Sequence, residues 1–393
     1  MNFKIPFSGR AHRYTKEEQE VVLEAMNDAI PLTQGKYQEE FQQKFCKYLG
    51  CNYAFAVNNA TAALEMAAQL CQFNDSDEFI CPAHTFTASA YPFIKKGANP
   101  VWADIELYTR VVSLETIKKC VTPKTKAVVV VHLYGFIIPD IKEIAEFCKV
   151  NNILLIEDVA QAMGTSIDGK KAGTFGDFGI FSFHSHKNIT TLGEGGMFVV
   201  KYKKYADIIP MLRHNGHCSW EFERKNYWTP AMGNVDLPEL DGKHLMPNNY
   251  CLGEVECTLG IKLLDRLDIL NEEKRKRALY FIDEVCRVSS LLKFHRVEDS
   301  RHNYHLLVAQ VAEDKRDIFM KKMNEEKGVQ CVVQYYPLNR YDLYKKLGFG
   351  EANCPNTDDF FDNMVSFPFH HMMNDEDFNY MLNSTKEVLE ELK

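Results

Sequence analysis

Asp158 and Lys187 are the residues whose types and placement suggest covalent chemistry. Two short apolar runs, residues 153–156 and 178–183, have the length and the β-branched or aromatic content of buried strands, and polar residues follow each. In a parallel α/β sheet, ligands gather beyond the carboxyl ends of the strands, which is where Asp158 and Lys187 would lie. A lysine just past a buried strand is partly desolvated. That lowers its pKa and gives an amine able to attack a carbonyl, the chemistry of a Schiff base. A carboxylate at the neighbouring strand end could hold a pyridinium nitrogen protonated, so that the ring withdraws electrons from the adduct. The pair suggests pyridoxal 5'-phosphate.

Taken singly, each residue has a plainer reading. Lys187 could be a solvated loop lysine and Asp158 the N-cap of a helix starting at Val159. Gly193, Gly195 and Gly196 could mark only a tight turn before the apolar run 197–200. The combination carries the reading, which turns attention to the elements that would position it.

Helical periodicity marks residues 16–29 (Val21, Val22, Leu23, Met26) and 38–49 (Phe41, Phe45, Leu49), the second stopped by Gly50. A short strand over 53–57 runs through Asn58-Asn59-Ala60-Thr61 into a helix over 62–71. Asn and Thr are ordinary caps at such a junction. The same junction aims free N–H groups and the positive end of the helix dipole outward, a seat for a phosphate. The strand 78–81 ends at Pro82, and residues 84–88 begin another helix; Phe86 there is either core or a ring that stacks on a flat ligand. Strand and helix pairs follow at 100–103 and 114–120, 127–131 and 141–150, and 153–156 and 159–164. This alternation implies right-handed crossovers and a largely parallel sheet.

Residues 214–246 are rich in Gly, Pro and Asn and read as a lid or subunit-contact loop, or as a surface insertion. A long helix over 253–285 leads to strands at 304–311 and 329–336, with a helix at 316–327 between them and an amphipathic helix at 375–392. The expected organisation is a large cofactor-binding α/β domain over 1–252 and a smaller α+β domain over 253–393.

The 393 residues exceed what one typical core supports, in keeping with two domains, and the 46% hydrophobic content is ordinary for a soluble globular chain. A net charge of −8 argues against nucleic acid as a partner, because no broad face would neutralise phosphates. The 12 cysteines are scattered without a CxxC pair and read as free thiols in a reducing cytoplasm. The first residues, MNFKIPFSGRAHRY, lack the apolar core of a secretory signal, and no run approaches the length of a membrane span. A cytoplasmic protein with no membrane partner is expected. His184-Ser185-His186 has no evident carboxylate or cysteine partner and His370-His371 reads as surface, so no metal site is expected.

An ordered series of motifs makes the chain resemble, over nearly its whole length, the DegT/DnrJ/EryC1/StrS family of pyridoxal-phosphate-dependent aminotransferases. The series runs IPFSGR, LTQG, NNATAAL, CPAHTFTASA, VHLYG, IEDVAQAMG, FGDFGIFSFHSHKN, LGEGG, NNYCLGEVECTLG and SFPFHHMMNDED. The resemblance implies the aspartate-aminotransferase-like fold, fold type I, with a large mostly parallel sheet domain and a smaller C-terminal α+β domain. It also implies roles. Lys187 binds the cofactor as a Schiff base and shuttles the proton. Asp158 pairs with the pyridine nitrogen, Phe86 lies against the ring and Gln161 reaches the ring hydroxyl. The amides of Ala60 and Thr61 and the Ser182 hydroxyl hold the phosphate. Asn249 is the residue lent across a homodimer interface to the neighbouring phosphate.

The activity so implied is transfer of an amino group, with glutamate as donor and pyridoxamine 5'-phosphate as the intermediate cofactor form. The acceptor is a nucleotide-linked keto sugar, in polysaccharide or glycoconjugate biosynthesis. Ala60, Phe136, Cys251 and Tyr335 depart from the family's usual residues, and residues 220–246 run longer. These departures are expected near the substrate, so a small phosphorylated ketone or an inosose stays open as acceptor. Dehydratase relatives that use pyridoxamine phosphate carry His where Lys187 stands, and a non-catalytic regulator would not need the full set of cofactor residues.

Overall fold

The computed structural model describes residues 3–7, 10–219 and 233–393. Seven strands form the large sheet: β1 Tyr53–Val57, β2 Glu78–Pro82, β3 Asn99–Ala103, β4 Thr125–Val131, β5 Leu154–Asp158, β6 Phe178–Ser182 and β7 Gly196–Val200. Their order is β1-β7-β6-β5-β4-β2-β3. Neighbours pair in parallel except around β7, which runs antiparallel to β1 and β6. A strand covered by helices on both faces needs apolar side chains on both, and the buried Val128, Val129, Val130 and Val131 of β4 supply them.

Helix α1, Lys16–Asp28, opens with a capping box in which the Thr15 side chain accepts from the Glu18 amide and Glu18 answers to the Thr15 amide. Helix α2, Lys36–Leu49, turns Phe41, Phe45 and Leu49 to one buried face and ends at Gly50, whose φ of 73° suits glycine. Phe45 meets Phe181 edge-on at 5.0 Å and Phe41 meets Phe183 at 5.4 Å, locking this helix over β6. Truncating Phe45 to Ala would cost about 3–5 kcal/mol. The Ala-rich helix α3, Ala60–Leu70, packs its small side chains against β6 and β7.

The long helix α4, Glu254–Val288, joins two hydrophobic cores. Leu259, Leu263, Leu264 and Leu267 belong to the core shared with α2 and the large sheet. Ala278, Phe281, Ile282 and Val285 belong to a second core beneath an antiparallel three-stranded sheet of β8 Leu292–Phe294, β9 Leu307–Val311 and β10 Met364–Phe367. Helix α5, Asp375–Glu391, completes this second unit.

Several expected elements take another form. Residues 159–164 are not helical: the Val159 amide continues the ladder to the Ile180 carbonyl. The Asn303 and Asn271 side chains take the carbonyls of Gln161 and Met163, so the segment's polar groups are satisfied without a helix. Residues 329–336 make only isolated bridges, and Met364–Phe367 occupies the place in the small sheet that they were expected to fill. After β2 the chain forms a 3₁₀ turn, Thr87–Ser89, before the short helix Tyr91–Lys95. Within the 214–246 loop, residues 220–232 lie outside the described residues. The remainder forms two short ladders, His217–Cys218 with Asn234–Val235 and Glu239–Leu240 with Lys243–His244. Among the described residues no helix is long and apolar enough to cross a membrane.

Candidate active site

The carboxyl ends of β1, β2, β5 and β6 open into a cavity of about 750 Å³, closed on the far side by residues that precede β9 and follow β10. Its size falls in the range of small-molecule and cofactor sites. Ala60, Thr61, Phe86, Asp158, Gln161, Ser182 and Lys187 all line it. Asn249 does not: it is exposed, bridges to His214 and lies outside the cavity of its own chain.

Asp158 is the last residue of β5 and is 6% exposed. Its Oδ2 accepts from the Ser89 hydroxyl at 2.8 Å and its Oδ1 from the Ala160 amide at 3.0 Å. Both donors are neutral, and among the described residues no cation pairs with it. A buried carboxylate so placed is suited to a protonated ring nitrogen. The bond to Ala160 closes a tight turn, so the alternative role of Asp158 as a helix N-cap is excluded.

Lys187 follows β6 in a turn held by its own amide to the His184 carbonyl at 2.9 Å. His12 Nε2 donates to the Lys187 carbonyl at 2.7 Å and fixes the backbone from the other side. Desolvation lowers the Lys187 pKa, and the nearby Asp158 charge opposes part of that shift. The net effect raises the share of neutral, nucleophilic amine at neutral pH.

The phosphate seat lies at the start of α3. Asn59 caps the helix by accepting from the Ala62 amide at 2.8 Å. The Ala60 and Thr61 amides, in the first turn, have no acceptor within the helix. Ala60 begins the helix with ordinary helical backbone, so it serves where the family pattern more often has Gly. Gly196 of β7 lies directly beneath. A Cβ there would stand 2.8 Å from the Ala60 nitrogen, the Asn59 carbonyl carbon and the Phe181 oxygen. The Ser182 side chain, opposite Gly196 in the ladder, borders the same space.

Gln161 is held at both ends: its Oε1 accepts from the Tyr134 amide at 2.7 Å and its Nε2 donates to the Tyr335 hydroxyl at 2.8 Å. One amide hydrogen remains for a ligand oxygen. Phe86 is 54% exposed, high for a phenylalanine, and stands edge-on to Tyr335 at 6.1 Å, so its ring is a wall of the cavity. Seat, carboxylate, ring and amine together fit a phosphate-bearing pyridine aldehyde.

Of the departures from the family pattern, Ala60 and Tyr335 line the cavity. Phe136 is buried against His295, 4.3 Å between ring centres, and Cys251 lies against the Arg213 carbonyl. The expected position of Phe136 near the substrate is therefore corrected, and Cys251, like Asn249, lies outside the cavity of its own chain. Sequence reasoning missed Ser89, His12, Lys274 and His305. Ser89 alone had a local signal, since it sits inside the CPAHTFTASA motif. His370 was expected at the surface but is half-buried and lines the cavity.

The profile of the DegT/DnrJ/EryC1/StrS aminotransferase family matches residues 12–386. The chain is 32% identical to UDP-4-amino-4,6-dideoxy-N-acetyl-beta-L-altrosamine transaminase of Campylobacter jejuni, over 95% of each chain. Among solved structures it resembles PseC of Helicobacter pylori, an aminotransferase involved in the biosynthesis of pseudoaminic acid, with 26% identity and a TM-score of 0.86 over 98% of this chain and 99% of that one. It also resembles the PMP-form of Spr1654 from Streptococcus pneumoniae, with 26% identity and a TM-score of 0.84 over 99% of this chain and all of that one, 100%.

Proposed function

The chain belongs to the DegT/DnrJ/EryC1/StrS aminotransferase family, and from that premise we propose that it carries an amino group from glutamate to a nucleotide-linked keto sugar used in polysaccharide or other glycoconjugate synthesis. The enzyme is a pyridoxal-phosphate-dependent aminotransferase. The observation that carries the reading is the meeting, in one cavity, of the Lys187 amine, the Asp158 carboxylate and the open amides at the start of α3.

Pyridoxal 5'-phosphate supplies an electron-poor ring that stores the electron pair left when a proton leaves the substrate carbon. The residues of the chain do the rest. Lys187 Nζ would hold the cofactor and, when free, would be the base that takes the proton from one carbon and returns it to another. The Asp158 carboxylate keeps the proton on the ring nitrogen, and Ser89 keeps that carboxylate oriented. The amides of Ala60 and Thr61 and the Ser182 hydroxyl bind the phosphate. Phe86 covers one ring face, and the free Gln161 amide hydrogen serves the ring hydroxyl.

The active unit in this reading is a homodimer. Ile30 is 94% exposed, and Leu23, Met26 and Leu32 beside it are exposed too, an apolar patch fit for burial by a second copy. In this reading Asn249, which lies outside the cavity of its own chain, serves the partner's phosphate.

Adding glutamate to the purified, cofactor-loaded protein should replace the visible band of the lysine-bound cofactor with the near-ultraviolet band of its amine form. A UDP- or GDP-linked keto sugar should restore it. An unchanged spectrum at saturating glutamate would overturn the reading. Return of the band with a phosphorylated ketone or an inosose instead would move the acceptor to that class.

A further inference from the structure

Lys274 projects from α4 into the same cavity as Lys187 and is 7% exposed. Its ammonium has three N–H donors. One goes to the His305 carbonyl at 2.6 Å, and the Phe369 ring centre lies 5.3 Å away. Among the described residues no carboxylate pairs with it. An unpaired buried ammonium opposes folding, so a chain that keeps one has a use for the charge.

The surroundings are made of imidazoles. His305 and His370 line the cavity, and the buried Nδ1 of each has no hydrogen-bond partner among the described residues. His12 and His371 stack behind them with ring centres 5.8 Å apart. Burial, and then the charges of Lys187 and Lys274, hold the His305 imidazole well below its usual range. Burial and Lys274 bring His370 down to about 4. Both rings are therefore neutral near pH 7 and can offer N–H donors without adding charge. The result is one lysine, brought by burial to a pKa of about 7 so that an arriving anion charges it, and two polar groups on an inner wall, with their binding capacity unused.

We propose that Lys274, with His305 and His370, forms the subsite that receives a carboxylate of the amino-acid donor. The proposal rests on the reading of Lys187 as the residue that carries the cofactor. The donor's nitrogen-bearing carbon must come to Lys187 Nζ, so its carboxylates lie only a few bonds away and need a cation beside that amine. Lys274 meets this condition: it lines the same cavity as Lys187 and is held there by the carbonyl of His305, which lines that cavity too. A nucleotide's diphosphate hangs from the far side of its sugar ring, away from the carbon that reacts.

The test uses the cofactor-loaded enzyme and two variants, Lys274→Met and His370→Ala. Calorimetry with glutarate, a dicarboxylate that cannot react, reads the subsite directly. Single-turnover absorbance reads each half-reaction: glutamate against the loaded enzyme, then a keto sugar against the amine form. Lys274→Met should weaken glutarate binding and raise the apparent glutamate dissociation constant at least tenfold, with the visible band and the keto-sugar half-reaction unchanged. His370→Ala should give the same pattern at several-fold, and Lys274→Arg should recover part of the loss. Wild-type glutarate affinity in Lys274→Met would overturn the proposal. A loss confined to the keto-sugar half-reaction would also overturn it, assigning the wall to a phosphate of the acceptor. Failure of the underlying reading is seen separately: borohydride treatment of the wild-type enzyme would then leave no label on Lys187.

Discussion

The Ser89 hydroxyl donates to Asp158 Oδ2 at 2.8 Å and in turn lies 3.2 Å from the Thr85 hydroxyl, so the segment that follows β2 steers the carboxylate at the end of β5. The two strands are not neighbours in the sheet, since β4 stands between them. Asp158 is thus aimed by an element that does not pair with its strand.

Removing that support tests its role. Ser89→Ala should lower kcat about tenfold, as expected for loss of one hydrogen bond to a charged group. It should also shift the pH titration of the visible band, a readout that simple loss of stability would not move. Asp158→Asn, which keeps the shape and removes the charge, should cost about 10²–10³-fold. Wild-type kinetics in Asp158→Asn would remove Asp158 from the mechanism, and in Ser89→Ala would show that its carboxylate needs no support from Ser89.

Gly196→Ala should weaken the phosphate seat. The added methyl would meet three backbone atoms at 2.8 Å, two of them at the start of α3 and one in β6, and backbone cannot swing aside as a flexible side chain can. Equilibrium dialysis should show cofactor affinity reduced about tenfold or more, equivalent to about 1.4 kcal/mol. Unchanged affinity would show that α3 tolerates displacement and is not the seat.

Lys274 should make stability depend on pH in the absence of ligand. Burial lowers its pKa from 10.5 to about 7 in the folded chain. The unfolded chain therefore binds more protons between those values, and stability rises with pH across that window and is lost as pH falls toward 7. The full difference corresponds to a ceiling of about 5 kcal/mol at about 1.4 kcal/mol per pH unit. Melting curves from pH 7 to 9 should rise more steeply for the wild type than for Lys274→Met. Parallel curves would show that Lys274 keeps its ordinary pKa in the folded chain.

Shared sites predict complementation. Lys187→Ala and Asn249→Asp homodimers should both be impaired, the first abolished. Mixed and re-equilibrated, about half the dimers are mixed and each has one intact site, giving about one quarter of wild-type activity. No recovery on mixing would assign Asn249 a role within its own chain or none.

The strands and helices that build the large sheet were readable from the chain because each depends on neighbours in sequence. Phe41, Phe45 and Leu49 share a helical face, and the valines of β4 suit a strand covered on both sides. The residues that line the cofactor cavity were readable for a related reason: Ala60, Phe86, Asp158 and Ser182 stand at strand ends or at the first residues after them, and such ends converge in a parallel sheet. The ten ordered motifs carried the family.

Other features waited on the fold. Residues 159–164 have a helix-like pattern but are held open by Asn271 and Asn303, more than a hundred residues away. Phe136 looked like a substrate contact and packs elsewhere. Lys274, His305 and His370 come from a helix, a segment before β9 and a turn after β10, and each alone reads as an ordinary polar residue. Local pattern decides what a segment can become, because backbone geometry and side-chain periodicity act over a few residues. Which distant side chains share one buried wall, and so which charges are left without a partner, is decided only when the two cores close around α4.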